Sequence, residues 1–164
     1  MNIFILDHDP RQSIQYHMDA HVRKMCIEYV QILCTVLRQR FPDHPDIDLL
    51  YKSTHINHPC VKWARDNWAN WVLLHKYAVL LHFEYVHRYN KNHKSYLMLE
   101  NTYPIFLNSW AKCDTPHTPF VQCVPHQYRQ DDPVAAYRAY YIGEKQHLAK
   151  WTGRPIPEWF EVVE

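Results

Sequence analysis

Glycine is scarce in this sequence of 164 residues, with Gly143 and Gly153 as its two examples. The phosphate-binding loop of NTPases and the dinucleotide-binding fingerprint both need several glycines, because the backbone must approach the phosphates closely. Walker-type NTPases and Rossmann enzymes are therefore excluded. Long hydrophobic runs are missing as well, since no stretch approaches the roughly 20 apolar residues of a membrane-spanning helix. We expect no membrane partner.

The sequence has no strong excess of positive or negative charge. It also has no pair of cysteines with CxxC spacing. The five cysteines are odd in number and no basic, apolar leader begins the chain, so we expect a reduced, cytoplasmic protein. With histidine neutral, the net charge is +1, which is too small to create the positive field of a non-specific DNA-binding protein. Any contact with nucleic acid therefore needs a local patch of positive charge. The 13 histidines would strengthen phosphate binding at low pH.

Apolar residues make up 47% of the chain and aromatic residues 15%, which indicates a globular protein with a sizeable core. We predict one domain over residues 1–164, a mainly α, compact helical bundle with at most a short N-terminal strand at residues 2–6. Stretches without glycine or proline predict helices at about residues 11–40, with a break near His17–Met18, and at 59–90, with a break at Asp66–Asn67.

A short helix is predicted at residues 93–101 and a last helix from Asp132–Pro133 to about Trp151. Residues 41–57 and 104–132 are predicted loops, and the tail from Pro155 should bring Trp159 and Phe160 back onto the body. The segment 68–89 is apolar on nearly every face and predicts a central helix. The predicted core includes Trp63, Trp68, Trp71, Val72 and Leu80.

A narrow polar stripe crosses the first long helix. At about 100° per residue its members fall within an arc of roughly 80°: His17, His21, Lys24, Glu28, Gln31 and Thr35. The stripe either faces solvent or lines a cleft. Solvent-exposed helix faces are usually rich in Glu, Lys and Arg, whereas this stripe has one Glu and one Lys among His, Gln and Thr, which favours a cleft. We expect Glu28 as the acid/base or stabilising carboxylate, with His21 and Lys24 as catalytic neighbours. His17 and Gln31 are then candidate substrate ligands.

The segment from Thr54 to Cys60 precedes a predicted helix that starts at Pro59. Unpaired backbone N–H groups and the positive end of a helix form a natural anion site. We expect His55 to be a catalytic residue that also contacts phosphate, with Asn57 and His58 as further donors. Alternatively, Asn57 or His58 caps the helix and nothing binds there.

The last predicted helix carries Arg138, Tyr141 and Lys145 on one face. A cation beside an aromatic ring can hold a phosphate and stack a base, so these three are candidate substrate-binding residues. Alternatively, the tyrosines fill the core and the charges are solvated.

Two histidine pairs have the spacing of metal ligands: His17 with His21, and His55 with His58. Neither pair carries the carboxylate that accompanies helix-borne zinc pairs such as HExxH. We therefore expect neither a metal nor another cofactor, with a site built from these four histidines as the alternative.

Distinctive sequence blocks are spread over nearly the whole chain. They read MNIF at residues 1–4, HV-x-KM-x2-E at 21–28, TH-x-NHPC at 54–60 and DPV-x2-YR-x-YY-x2-EK at 132–145. In these blocks the chain resembles a small family of bacteriophage proteins. The resemblance implies a bacteriophage source and, through the phage setting, a link to DNA-base repair or modification. Ala20 stands where members of that family have lysine.

The leading functional hypothesis is an enzyme that acts on a nucleotide or a DNA base, in the cytoplasm of the host cell if the source is a phage. A DNA glycosylase or base-modifying enzyme is the concrete form, because departure of a base leaves a sugar cation that a buried carboxylate stabilises. In that form Lys24 is the amine expected to attack the sugar. The alternatives are a non-catalytic nucleotide-binding or host-inhibiting phage protein, a nucleotide phosphodiesterase and a structural accessory protein.

Overall fold

The computed structural model describes residues 1–160, which form helices joined by ordered loops. Six α-helices follow along the chain: α1 (Pro10–Gln15), α2 (Asp19–Arg40), α3 (Pro59–Asp66), α4 (Trp68–Tyr89), α5 (Tyr96–Ser109) and α6 (Pro133–Glu144). Short 3₁₀ turns lie at Ile47–Leu49, His126–Tyr128 and Gln146–Leu148. No β-strand occurs within residues 1–160, so the prediction of a mainly α fold is confirmed.

The two longest helices, α2 and α4, form the centre of the fold. Each has 22 residues, and α1, α3 and α5 pack around them. Trp71 of α4 is fully buried, and its ring stacks on Phe106 of α5 with 4.0 Å between the ring centroids. Its indole N–H donates to the carbonyl of Leu33 on α2 at 3.4 Å. Trp71 therefore connects three helices.

The other predicted core residues divide into two groups. Trp63 is buried like Trp71, whereas Trp68, Val72 and Leu80 are half-buried and pack against the core from its edge. The apolar helix predicted at residues 68–89 is α4, and its central position is confirmed. In the described part of the chain, none of the helices combines the length and the apolar character that a bilayer crossing requires.

The first residues do not form the predicted strand. Residues 3–6 are buried, but no neighbouring chain segment pairs with them as a second strand in the described structure. Side chains satisfy their backbone instead, because Leu6 donates its N–H to Ser13 Oγ at 2.9 Å and accepts from Arg138 Nε at 2.7 Å. An apolar run in the sequence predicts that a segment is buried, but a strand also needs a neighbouring segment to pair with. The described residues provide no such segment here.

Helix starts and breaks follow the capping residues of the sequence. Asp9 and Asp132 each precede a proline and accept a hydrogen bond from a backbone N–H in the first turn of α1 and α6, at 3.0 Å in both cases. Asn67 caps α4 in the same way, accepting from the N–H of Asn70 at 2.8 Å. The predicted breaks near residues 17–18 and 66–67 are both confirmed.

Two helix ends differ from the prediction. α5 continues to Ser109, although the sequence favoured a loop from Pro104 onward. Pro104 lies within this helix and is exposed, so the ring projects into solvent rather than into a neighbouring element. α6 ends at Glu144 instead of near Trp151, and the chain continues into the 3₁₀ turn.

The guanidinium of Arg88 on α4 is fully buried and joins several parts of the fold. It donates to Asp19 at 2.9 Å and to Glu84 at 2.7 Å. It also donates to the backbone carbonyls of His17 and Gln15, at 2.8 and 2.9 Å. These bonds hold the junction between α1 and α2 against α4.

The C-terminal segment completes this ionic network. Thr152 donates to Asp19 through its backbone N–H at 2.9 Å and through its hydroxyl at 2.6 Å. Arg154 donates to Glu84 through Nη2 at 2.7 Å and Nε at 3.0 Å. Phe160 is buried, so the predicted return of the tail to the body is confirmed.

Replacing Trp71 by alanine should lower the free energy of unfolding by about 3–5 kcal/mol, because the deletion leaves a cavity between α2, α4 and α5. Urea unfolding measures this loss. Phe83 lies on the same helix but is 59% exposed, so Phe83→Ala is a matched control that should cost far less. Equal stability of Trp71→Ala and the unaltered protein would show that α4 is peripheral.

Candidate functional site

Glu28 lies in the middle of α2 and is 9% exposed. Its Oε2 accepts a hydrogen bond from the backbone N–H of Asn2 at 3.2 Å and lies 3.6 Å from the amino group of Met1. Its Oε1 lies 3.5 Å from Nζ of Lys24, one helical turn earlier. One mostly buried carboxylate and two amine nitrogens are therefore concentrated at one place.

The first residues are held beside Glu28 by a small hydrogen-bond network. Asn2 accepts from the hydroxyl of Tyr137 at 2.7 Å and donates through Nδ2 to the carbonyl of Cys123 at 3.0 Å. The Met1 side chain is only 2% exposed. The amino group of Met1 is thus positioned by backbone and buried contacts, not by a mobile side chain.

The loop of residues 53–58 approaches the same helix. The backbone N–H of Thr54 donates to the hydroxyl of Thr35 on α2 at 3.1 Å. His55 has a φ of 50°, in the left-handed region that residues with a Cβ adopt rarely and that is enriched at functional sites. The loop lines an open hollow of about 540 Å³, a volume in the range of small-ligand pockets.

His58 connects this hollow to Glu28. Its Nδ1 accepts a hydrogen bond from the backbone N–H of Cys60 at 3.2 Å and so caps α3. Burial lowers the pKa of His58, the positive charges of the Met1 amino group and of His55 lower it further, and the carboxylate of Glu28 opposes them. His58 therefore lies within electrostatic reach of the carboxylate and of the amino group.

The polar stripe of α2 is not a solvent face. Thr35 is fully buried and Glu28 is nearly so, because the first residues of the chain and the 53–58 loop cover this side of the helix. Gln31, one turn after Glu28, is half-buried. The expected site residues that this geometry groups on one side of the molecule are Lys24, Glu28, His55, Asn57 and His58.

His17 and His21 belong to the core instead, which corrects their expected roles as substrate ligand and catalytic residue. His17 is fully buried, with Nδ1 2.9 Å from the carbonyl of Ser13. His21 stacks on Phe4 with 4.3 Å between the ring centroids, and its Nδ1 lies 2.6 Å from the hydroxyl of Tyr141. The His17 ring packs against Phe4, and the His21 ring packs between Phe4 and Tyr141 of α6.

The face of α6 that was expected to bind substrate is also structural. Tyr141 is fully buried and cannot stack on a base. Arg138 pairs with Asp7, with 2.8 Å between Nη2 and Oδ2, and Lys145 lies 4.6 Å from the centroid of the Tyr140 ring. The alternative prediction, that the tyrosines of this helix fill the core, agrees with the full burial of Tyr137 and Tyr141.

Local sequence patterns do not indicate the parts of the candidate site that come from the chain start and from distant loops. The predicted strand at residues 2–6 includes Asn2 but not Met1, and the tyrosines of the last helix enter only as candidates for base stacking or for the core. Cys123 lies in the long loop after α5, where no periodicity reports its neighbours. One feature of the sequence could have indicated a role for the chain start: the polar Asn2 lies directly before the apolar residues 3–6.

The four histidines considered as metal ligands do not form a cluster in the described residues, because His17 and His21 are buried in the core. A different group of potential ligands occurs at residues 58, 60 and 123, where His58, Cys60 and Cys123 have their ligand atoms within 4.8 Å of one another. In the described residues, the candidate metal ligands are therefore these three side chains.

A second hollow, of about 560 Å³, is lined by apolar side chains with Asp7, His8 and Lys76 at its polar edge. The carboxylate of Asp7 is already paired with Arg138. The residues around Glu28 do not contribute to this hollow. We therefore place the candidate active site at Glu28, where the carboxylate meets amines within ion-pair distance.

Acidification should destabilise the fold through His17 and His21. Burial lowers the pKa of His17 to about 4 and that of His21 to about 3, from 6.5. Below about pH 6.5 the unfolded chain binds more protons than the folded one, so stability falls as the pH falls. From about pH 7.5 to about pH 5 we expect a loss of about 2 kcal/mol per ring, measured by urea unfolding.

Burial also lowers the pKa of His75 to about 4, so His21→Asn should remove about a third of this pH dependence or less. The same substitution at His126, which is exposed, should leave the dependence unchanged. A free energy of unfolding that stays constant between these pH values would contradict the assignment of two neutral, buried rings.

A sequence model of the family described as pyrimidine dimer DNA glycosylase matches residues 1–97, more than half of the chain. The matched part contains Met1, Glu28 and the 53–58 loop, and it ends at the start of α5. No curated protein and no solved structure matches the chain.

Proposed function

Because the chain belongs to the pyrimidine dimer DNA glycosylase family, we propose that it cleaves the bond between base and sugar at a pyrimidine dimer in DNA, with Glu28 as the catalytic carboxylate. The observation that carries this proposal is the buried Glu28 carboxylate between two amines. We place the activity in the cytoplasm of a phage-infected cell, in keeping with the resemblance of the sequence blocks to phage proteins.

Glu28 would act on the charge that develops at the sugar. When the bond from C1′ to the base nitrogen breaks, its electron pair leaves with the base and C1′ acquires cationic character. A carboxylate held at low exposure stabilises that charge more strongly than one in water, because little solvent screens it. None of these steps needs a metal ion.

An amine next to Glu28 can make the reaction covalent. The nitrogen attacks C1′ as the base departs and the base takes up a proton; the nitrogen lone pair then expels the ring oxygen and gives an iminium ion between protein and DNA. Glu28 is placed to accept the proton that the attacking amine must lose. Two amines compete for this role, that of Met1 and that of Lys24.

The Met1 amino group is the better-placed nucleophile of the two. It lies next to a buried side chain and its neighbour Asn2 is fixed by two hydrogen bonds, so little conformational entropy remains to be lost. The side chain of Lys24 is 65% exposed and would have to be ordered first. Lys24 then serves as a cation toward the DNA backbone.

DNA contact has to come from a local patch, because the net charge is only +1. Exposed cations near the candidate site are Lys24 on α2 and Arg129 in the loop before α6. His55 and Asn57 on the exposed loop are placed to contact the phosphates on either side of the lesion. The damaged nucleotide must leave the stack to reach Glu28, and a dimer with weakened pairing costs least to flip.

Glu28→Gln should lower single-turnover cleavage of a duplex with one pyrimidine dimer by about 10²–10⁴-fold, the range for loss of a positioned acid/base or stabilising group. Affinity for the duplex should stay unchanged, which separates a catalytic from a binding role. Glu144→Gln is the matched control, because Glu144 is exposed at the end of α6.

Cleavage by Glu28→Gln at the rate of the unaltered protein would overturn the assignment. A protein that binds the duplex but leaves it intact, with or without Glu28, would instead support the alternative of a non-catalytic binding protein.

Reduction with borohydride during turnover should trap a covalent protein–DNA adduct, and peptide mapping should place it on the Met1 amino group. Lys24→Ala should retain the adduct, whereas one alanine added before Met1 should abolish it by moving the amine away from Glu28. The same alanine added after Glu164 is the control.

An adduct that maps to Lys24 and is lost in Lys24→Ala would show that Lys24, and not the Met1 amino group, is the nucleophile. Cleavage without any trapped adduct would remove the covalent step and leave Glu28 acting on water, which a glycosylase can also use.

A further inference from the structure

We propose that His58, Cys60 and Cys123 form a binding site for a thiophilic divalent cation, with Zn²⁺ as the best match. The three ligand atoms lie within 4.8 Å of one another. This inference goes beyond the proposed glycosylase function, which uses none of these side chains as a reacting group.

The distances agree with tetrahedral coordination. The sulfur atoms of Cys60 and Cys123 are 3.5 Å apart. Two thiolates bound to one Zn²⁺ at about 2.3 Å each, with a tetrahedral angle between them, are about 3.8 Å apart. The two sulfurs therefore need only a small movement to share a cation, and in this structure both are free thiols.

The chemistry of the three donors selects among cations. Two thiolates and one imidazole form a known zinc ligand set, whereas Mg²⁺ and Ca²⁺ prefer oxygen atoms. A fourth coordination position remains for water or for a protein group.

The ligands are held by parts of the chain that are distant in sequence. Cys60 is fully buried in the first turn of α3, and Cys123 lies 63 residues further along. The backbone of Cys123 is fixed on both sides, since its N–H donates to the hydroxyl of Tyr137 at 3.1 Å and its carbonyl accepts from Asn2. Little ordering is left for the cation to impose.

His58 must exchange one interaction for another. Its Nδ1 now accepts from the backbone N–H of Cys60, and a neutral imidazole has only one nitrogen lone pair. Coordination therefore replaces this helix cap. The exchange gives up one hydrogen bond and gains a coordinate bond that completes a three-ligand site, which favours binding.

A cation at this site would tie the loop that carries Cys123 to the start of α3. The same loop contacts Asn2, whose backbone N–H donates to Glu28. The cation would thus add a cross-link behind the wall of the candidate active site without contacting substrate. We assign it a structural, positioning role.

The test uses the full chain, purified with a phosphine reductant, stripped with a chelator and titrated with Zn²⁺ or Co²⁺. We expect one equivalent to bind, an absorption band from sulfur-to-cobalt charge transfer, and a higher unfolding temperature with Zn²⁺. Cys123→Ser and Cys60→Ser should each weaken binding by about 100-fold or more. Cys113→Ser is the control, because Cys113 is exposed in the same long loop.

Protection from alkylation keeps the test valid if a variant fails to fold. In the unaltered protein, Zn²⁺ should protect the half-buried Cys123 from iodoacetamide and leave the exposed Cys113 reactive. No bound equivalent, a Co²⁺ complex without the sulfur band, or equal alkylation with and without Zn²⁺ would overturn the proposal. These readouts do not depend on DNA cleavage, so their failure and that of the Glu28 assignment are distinguishable.

Discussion

The buried guanidinium of Arg88 is the interaction on which the arrangement of this fold depends. Burial opposes ionisation of Asp19 and Glu84, but hydrogen bonds from Arg88, Thr152 and Arg154 outweigh it and lower the pKa of both carboxyl groups. The network fixes the bend between α1 and α2. That bend sets the rotation of α2 and therefore the side on which Glu28 points.

The candidate site joins one regular element to two irregular ones. α2 supplies a rigid carboxylate, while the chain start and the 53–58 loop supply the groups that approach it. This division is common in enzymes, because a helix holds position while loops adapt to a ligand. Here the irregular parts are themselves fixed, since Asn2 and Thr54 are hydrogen-bonded to residues of other segments.

Much of the helical framework was predictable from local signals, because caps such as Asp9 and Asp132 act within one helical turn. The polar stripe on α2 was predictable too, since periodicity reports which residues share a face. Periodicity does not report what packs against that face. His21 and Tyr141 are 120 residues apart and meet in the core, a contact that neither local sequence predicts. The stripe singles out Glu28 as a candidate, whereas nothing in the local sequence indicates the Met1 amino group beside it.

The ionic network also has a consequence for biosynthesis. Asp19 and Glu84 lie within the matched family region, yet Thr152 and Arg154 lie far beyond it. Until Thr152 and Arg154 have left the ribosome, two carboxylates must share the single guanidinium of Arg88, and an incompletely compensated charge in an apolar interior is costly. The helices can form early, but the bend that orients α2 becomes stable only when these two residues join the network.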